Sequence, residues 1–149
     1  MKIKPAYKKI LIGSLILVFA VAGIAWYIFT EKFENTAEEK AEYTVSAMDF
    51  IKEFQQNDSL ANKKYREKIV AVNGTISEIE AADITANIKF IDSASGDYLI
   101  FAFQQQHLSD AKNLHQGQSV SIKGSCSGAV YSEILETRYI SFKRAALNK

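Results

Sequence analysis

The stretch that decides the fold is residues 69–77, IVAVNGTIS. Val70, Val72 and Ile76 alternate there with polar or small residues, the period of a strand with one buried face. Gly74 inside the run marks a bulge or a sharp bend. Upstream the period is helical. Met48, Ile51 and Phe54 repeat at helical spacing, and Ala47 and Phe50 widen the stripe. Ser46-Ala-Met-Asp49 has the spacing of a capping box, with Ser46 capping and Asp49 reaching back. This helix should stop near Asn57-Asp58, and a shorter one should follow through Leu60, Ala61 and Tyr65.

Downstream the strand period continues. A second run places Ile84, Ala86, Ile88 and Phe90 on one face and Thr85, Asn87 and Lys89 on the other. Residues 93–97, SASGD, read as a turn. A third run, residues 98–103, keeps Leu99, Phe101 and Phe103 in register. Leu108, Ala111 and Leu114 then space a short helix that Ser109 can cap and Gly117 can end. In SVSIKGSC, residues 119–126, Val120, Ile122 and Cys126 alternate inward. After Gly128 a last strand is expected through Ile134, Leu135, Tyr139, Ile140 and Phe142. The order is a helix, then β-β-β-α-β-β. That predicts a mainly β (α+β) domain, a five-stranded OB-fold barrel, which is small, partly open and of Greek-key type.

Ahead of this domain, residues 10–29 read ILIGSLILVFAVAGIAWYIF, twenty residues without a charge. A bilayer core about 30 Å thick needs about 20 apolar residues. The run, from Ile10 through Leu17 to Phe29, therefore predicts a transmembrane signal-anchor. Lys2, Lys4, Lys8 and Lys9 precede it without an acid, and Glu31, Lys32, Glu34, Glu38 and Glu39 follow it. The positive-inside bias puts the N-terminus in the cytoplasm and the domain outside, on a single-pass cell-membrane anchor. Trp26, Tyr27 and Phe29 suit the headgroup region at the outer end. The alternative is cleavage near Ala22, which would release a secreted or periplasmic domain. Continuation of the apolar run to Phe29 favours retention. The expected organisation is a basic tail (1–9), the anchor (10–29), a charged linker or stalk helix (30–43), the helix with its OB-fold barrel (44–144) and a short tail (145–149).

Charge and chemistry narrow the function. Hydrophobic residues make up 48% of the 149 residues and charged ones 23%, values of a globular chain rather than a disordered one. Residues 31–149 hold 14 basic and 17 acidic residues, a net charge of −3. That argues against nucleic acid, whose binders need a basic footprint. Cys126 is the single cysteine and reads as a small core residue. His107 and His115, with Asp110 nearby, fall short of a zinc ligand set and read as exposed helix-end residues. Gly124-Ser-Cys-Ser-Gly128 superficially resembles a nucleophile elbow but lacks the following helix, and reads as a hairpin turn. Glu78 and Glu80 fall on one strand face as a solvated pair. No Walker loop or dinucleotide fingerprint is present. No catalytic residue, metal ligand or cofactor is assigned.

The chain also resembles the tRNA_anti-like OB proteins of bacteria, many of which resemble lipoproteins or membrane-anchored proteins. The likeness lies in Ser46-Ala-Met-Asp49, in Asn57, Ala61, Lys64 and Tyr65, and in residues 68–74, KIVAVNG. It continues in Phe103, in residues 114–120, LHQGQSV, and in residues 123–128, KGSCSG. The resemblance implies that a cysteine at the Cys126 position pairs with one in the last strand, where Arg138 stands here. The OB-fold ligand surface is the face of strands two and three and the loops beside it. In this chain that predicts Thr85, Asn87, Lys89, Tyr98, Ile100, Ala102 and Tyr131, with Tyr98 and Tyr131 able to stack on a base or sugar. The expected function is a non-enzymatic, membrane-anchored binding module of the bacterial cell envelope. Its expected partners are the lipid bilayer and a protein or other envelope partner. Single-stranded nucleic-acid or oligosaccharide binding is the alternative.

Overall fold

The computed structural model describes residues 5–30 and 35–149, with side chains in the first stretch given for Tyr7 and residues 12–29. Lys2, Lys4, Glu31, Lys32 and Glu34, and the side chains of Lys8, Lys9 and Ile10, lie outside the described residues. The chain divides into two units, Met1–Glu34 and Asn35–Lys149. In the first, α1 (Pro5–Thr30) is one helix. Its stretch Ile12–Phe29 is long and apolar enough to cross a membrane. Leu17, Trp26, Tyr27 and Phe29 are all exposed on it.

The second unit runs β1 (Tyr43–Ser46), α2 (Ala47–Gln56), α3 (Asp58–Tyr65), β2 (Ile69–Thr75), β3 (Glu78–Ala81), β4 (Ala86–Ile91), β5 (Tyr98–Phe103), α4 (Leu108–Lys112), β6 (Ser119–Ser132) and β7 (Thr137–Leu147). A 3-10 turn, Gln105–His107, precedes α4. Hydrogen bonding orders the strands β1-β2-β6-β7-β5-β4-β3. The two ends of this series meet in the chain, because β2 and β3 are halves of one bent strand. The Ile76 N–H still donates to Gln118 O beside β6 (3.0 Å), whereas the Ser77 N–H donates to Lys89 O on β4 (2.9 Å). The strand thus leaves one neighbour and joins the other between adjacent residues, and the sheet closes. Counting the bent strand once gives the five strands of an OB-fold, plus β1.

Gly74 sits just before the bend. A Cβ there would lie 2.8 Å from Phe90 Cδ2 and 2.9 Å from Ala47 Cβ. Glycine is what lets the strand pass so close to β4 and α2. The core inside the barrel is aromatic and aliphatic: Ile88, Phe90, Leu99, Phe101, Ile122, Ile140 and Phe142 are fully or almost fully buried. Phe101 stacks on Phe142 at 4.5 Å, and Phe50 of α2 reaches Phe142 at 5.6 Å, so the leading helix shares the barrel core. Ser46 caps α2 as expected. The Asp49 N–H donates to Ser46 Oγ (3.2 Å), and that hydroxyl donates to Asp49 Oδ2 (2.6 Å). The helix ends at Gln56, with Asn57 as its C-cap and the N-cap of α3.

Several local expectations change. Ser46 ends a strand before it caps a helix: β1 pairs parallel with β2 and covers an edge that would otherwise be open. Met48 and Leu60 are exposed rather than in the stripe. Ile84 is 74% exposed, because β4 starts only at Ala86, after a turn closed by the Ala82 N–H donating to Thr85 O. Ser109 lies inside α4 rather than capping it, and that helix ends at Lys112, well before Gly117. Gly117 instead occupies the turn into β6, where its N–H donates to Ile76 O (2.8 Å).

The largest change is in β6 and β7. Gly128 does not end a strand. At φ +96° it forms an irregularity inside a single fourteen-residue strand, where a Cβ would strike Asn62 Oδ1. Gly124 to Gly128 is therefore strand, not turn. The chain reverses at Glu133-Ile-Leu-Glu136 instead, so Ile134 and Leu135 are turn residues and not part of the last strand. Nor is 145–149 a loose tail: Ala145 and Ala146 are buried in β7.

Residues 35–42 are also not a free linker. Thr36 is fully buried, and its N–H donates to Gln104 Oε1 (3.3 Å). Lys123 Nζ donates to Glu39 O (2.8 Å), and the Glu42 N–H donates to Ile69 O (2.8 Å). His107 Nε2 lies 2.6 Å from Asn35 Oδ1, so this histidine is half-buried against the segment. His115 is exposed.

Candidate ligand-binding face

Register fixes which side chains share the outer barrel face. Partner residues of a ladder point to the same side, and successive residues alternate. Lys89 pairs with Glu78 on β3 and with Ile100 on β5, and Ile91 pairs with Tyr98. Tyr98 in turn pairs with Tyr139 on β7, and Tyr139 pairs with Val130 on β6. The face therefore runs from Glu78 and Glu80 across Asn87, Lys89, Ile91, Tyr98, Ile100 and Ala102 to Tyr139 and Val130. The opposite side of the same strands, Ile88, Phe90, Leu99 and Phe101, is the core, which makes the face rigid from behind.

Two features define its chemistry. Tyr98 and Tyr139 stack, with ring centroids 5.7 Å apart and planes 19° from parallel. Lys89 lies between two carboxylates, 3.3 Å from Glu78 Oε2 and in closer contact with Glu80 Oε1. Its Nζ is also 5.6 Å from the centre of the Tyr98 ring. The hydrogen bond to Glu80 raises the Lys89 pKa, and the same bond lowers that of Glu80. Lys89 is thus a cation already engaged, and with two acids against one base the cluster is net negative.

Of the expected site residues, Asn87, Lys89, Tyr98, Ile100 and Ala102 fall on this one face. Thr85 does not: it is an exposed residue of the turn before β4. Tyr131 does not either. It pairs with Arg138, one step out of phase with Val130 and Tyr139, and so points to the other side. The partner of Tyr98 is Tyr139, whose role was hidden because it depends on the parallel β5–β7 pairing. The expected solvated pair, Glu78 and Glu80, is the clamp on Lys89.

On the other side, Arg138 ties the base of the β6–β7 hairpin to the rest of the unit. Its main-chain N–H donates to Asp97 Oδ1 (2.7 Å). Its guanidinium lies 3.7 Å from Asp97 and 3.9 Å from Asp58, and 5.9 Å from the centre of the Tyr131 ring. Asp97, only 7% exposed, also accepts from Gln55 Nε2 (2.9 Å). Cys126 is fully buried opposite Phe142, and burial pushes its thiol up to about 11. Arg138 is several pairs further along the hairpin. A cysteine there would not lie opposite Cys126, so the place the resemblance suggested for a disulfide partner is displaced in this register. Among the described residues, no group of three or more His, Cys, Asp or Glu side chains is placed to hold a metal ion.

One solved structure of similar fold supports this architecture, and two others match more weakly. A lipoprotein of Klebsiella pneumoniae, described as a proposed nucleic acid-binding protein, superposes with a TM-score of 0.55 at 19% identity, over 70% of this chain and 91% of its own. A protein of Leishmania major, proposed to be an aspartyl-tRNA synthetase, matches at TM-score 0.46 and 7% identity, over 79% of this chain and 22% of its own. An OBody bound to hen egg-white lysozyme matches at TM-score 0.43 and 15% identity, over 58% of this chain and 87% of its own. No curated protein sequence matches. The profile of the tRNA_anti-like family matches residues 1–136, nearly the whole chain, and the protein belongs to that family.

Proposed function

We propose that this protein is a non-catalytic binding module of the bacterial cell envelope, held in the membrane by α1 and presenting the β4–β5–β7 face to a protein partner. The observation that carries this is the composition of the face. It offers stacked tyrosines and aliphatic side chains on a rigid sheet, and its lysine on β4, Lys89, is held between Glu78 and Glu80. Such a surface suits a neutral or basic partner better than a polyanion. The apolar run of α1 and the basic residues before it support anchoring with the N-terminus in the cytoplasm.

The test uses the full chain in its own membranes, with a photoreactive benzophenone amino acid in place of Ala102, an exposed residue of the face beside Asn87. A discrete protein adduct at this position, absent from an exposed control position at Lys63, supports the module. No adduct at Ala102 under any condition counts against it.

A second reading, single-stranded nucleic-acid binding, draws on the description of the Klebsiella lipoprotein and on the Tyr98–Tyr139 stack. It predicts affinity that falls steeply with salt. Fluorescence anisotropy of the chain in detergent with a labelled oligonucleotide tests it. Absence of binding at tens of micromolar in low salt removes this reading.

A further inference from the structure

The β6–β7 hairpin breaks the usual chemistry of turns. Turn tips favour Gly, Asn, Asp, Ser and Pro, which supply positive φ or local hydrogen bonds. Here the tip is Glu133-Ile-Leu-Glu136, with Ile134 94% and Leu135 64% exposed. Glu136 holds φ +51°, a conformation that glycine or asparagine adopts at lower cost. Val130 and Tyr131, just below the tip, are half exposed as well. A sequence that sets apolar side chains and a strained glutamate at a solvent-facing tip departs from local rules without a gain in core packing. Such departures concentrate at functional sites.

The hairpin is also braced rather than loose. Its last ladder pairs are Val130 with Tyr139, Tyr131 with Arg138, and Ser132 with Thr137. The Leu135 N–H donates to Ser132 Oγ (3.3 Å), which ties the turn to the strand. At the base, the Arg138 main-chain N–H donates to Asp97 (2.7 Å), while its guanidinium lies 3.7 Å from Asp97 and 3.9 Å from Asp58, beside Tyr131. The apolar tip is therefore a preorganised knob, which lowers the ordering cost of binding.

Charge selects what the knob fits. Glu133 and Glu136 flank Ile134 and Leu135 directly, and among the described residues neither makes an ion pair. Two free carboxylates at the tip oppose insertion into an anionic bilayer surface, and self-association through two copies of this tip would set like charges together. We propose that the hairpin tip docks into a protein partner through an apolar pocket rimmed by lysine or arginine side chains. Ile134 and Leu135 fill the pocket, and Glu133 and Glu136 meet its rim. This rests on the reading of the domain as a protein-binding module and names the chemistry of its partner.

The experiment places the photoreactive benzophenone amino acid at Ile134 of the full chain in the membranes of its source cells. Ala102 and Lys63 serve as parallel positions. The expected result is a discrete protein adduct from Ile134 whose mapped contact lies among apolar residues with lysine or arginine beside them. Charge reversal by Glu133→Lys with Glu136→Lys, both exposed and without a part in the core, should cut that adduct about tenfold and weaken its salt dependence. Circular dichroism of each variant verifies the fold. Adducts to lipid or to a second copy of the chain overturn the proposal, as does an adduct indifferent to charge reversal. An adduct from Ala102 without one from Ile134 overturns it while leaving the binding module in place. Silence at both positions overturns both.

Discussion

Raising the pH should unmask the burial of Cys126. Its thiol is fully buried opposite Phe142, and burial holds its pKa at about 11, well above the ordinary thiol range. In the unfolded chain the thiol ionises near its ordinary value; in the folded one it stays protonated. The stability this contributes is therefore complete below pH 9 and is lost as the pH climbs toward 11. Two pKa units correspond to about 2–3 kcal/mol in full, of which about 2 kcal/mol is gone by pH 10.5. Tyr65, whose pKa burial also raises, adds a loss of the same sign at still higher pH. The difference between the wild-type chain and Cys126→Ala isolates the thiol. At pH 7 the variant should be less stable by about 1 kcal/mol, for the small cavity it leaves. By pH 10.5 the order should close or invert, since the variant has no thiol to ionise. Urea unfolding of the full chain in detergent, followed by far-UV circular dichroism, measures both. Trp26 is the single tryptophan and lies on α1, so its fluorescence would not report the barrel. A gap between the two proteins that is the same at pH 7 and pH 10.5 would refute the reasoning.

Three further outcomes test the fold and the anchor. Gly74→Ala should destabilise the domain by about 1–2 kcal/mol, as the clash with Phe90 and Ala47 outweighs the gain in chain entropy; a urea midpoint unchanged within error would rule out the close approach. Asp97→Asn should cost about 1 kcal/mol by removing the charge 3.7 Å from the Arg138 guanidinium while keeping an amide oxygen for the Arg138 main-chain N–H, and a thermal melt equal to wild type would show that the charge is not needed. Leu17→Arg puts a charge at the middle of α1, a cost of about 2.5–3.5 kcal/mol for insertion; carbonate extraction should then release the chain, whereas continued retention would mean that another element holds it.

The barrel was legible in the sequence because its signals are local. Alternation in residues 69–77 and 98–103, the helical stripe of Ala47, Phe50, Ile51 and Phe54, and the Ser46 cap each follow from neighbours a few residues apart. What was hidden depends on distant pairing. Gly128 looks like a turn because glycine at positive φ serves turns and irregular strand positions alike, and only the approach of Asn62 separates the two. The true reversal, Glu133-Ile-Leu-Glu136, carries no turn residue, so composition could not mark it. β1 was missed because a four-residue edge strand at the end of a charged segment has no period long enough to read. Five of the seven expected face residues, Asn87, Lys89, Tyr98, Ile100 and Ala102, share one side because strand alternation is as local a signal as the barrel's. Tyr131 was expected among the residues bordering that face, and its pairing with Arg138, one step out of phase with Val130 and Tyr139, sends it to the opposite side.

The bend between Ile76 and Ser77 connects the fold to the choice of ligand. A strand that stayed with β6 throughout would leave β4 without a neighbour on that edge and Lys89 without acids. Because the chain crosses at Ser77, its next residues become β3, and Glu78 and Glu80 come to lie over β4 on the outer face. The step that closes the barrel is thus the step that brings two acids against the lysine of β4. An OB-fold face serving a polyanion needs free cations beside its aromatic rings. This one keeps the rings, Tyr98 and Tyr139, and holds Lys89 against a pair of glutamates on the neighbouring strand. With Glu133 and Glu136 at the hairpin beside it, this end of the surface presents apolar and aromatic side chains next to carboxylates, the charge pattern on which the proposed choice of a basic protein over a nucleic acid rests.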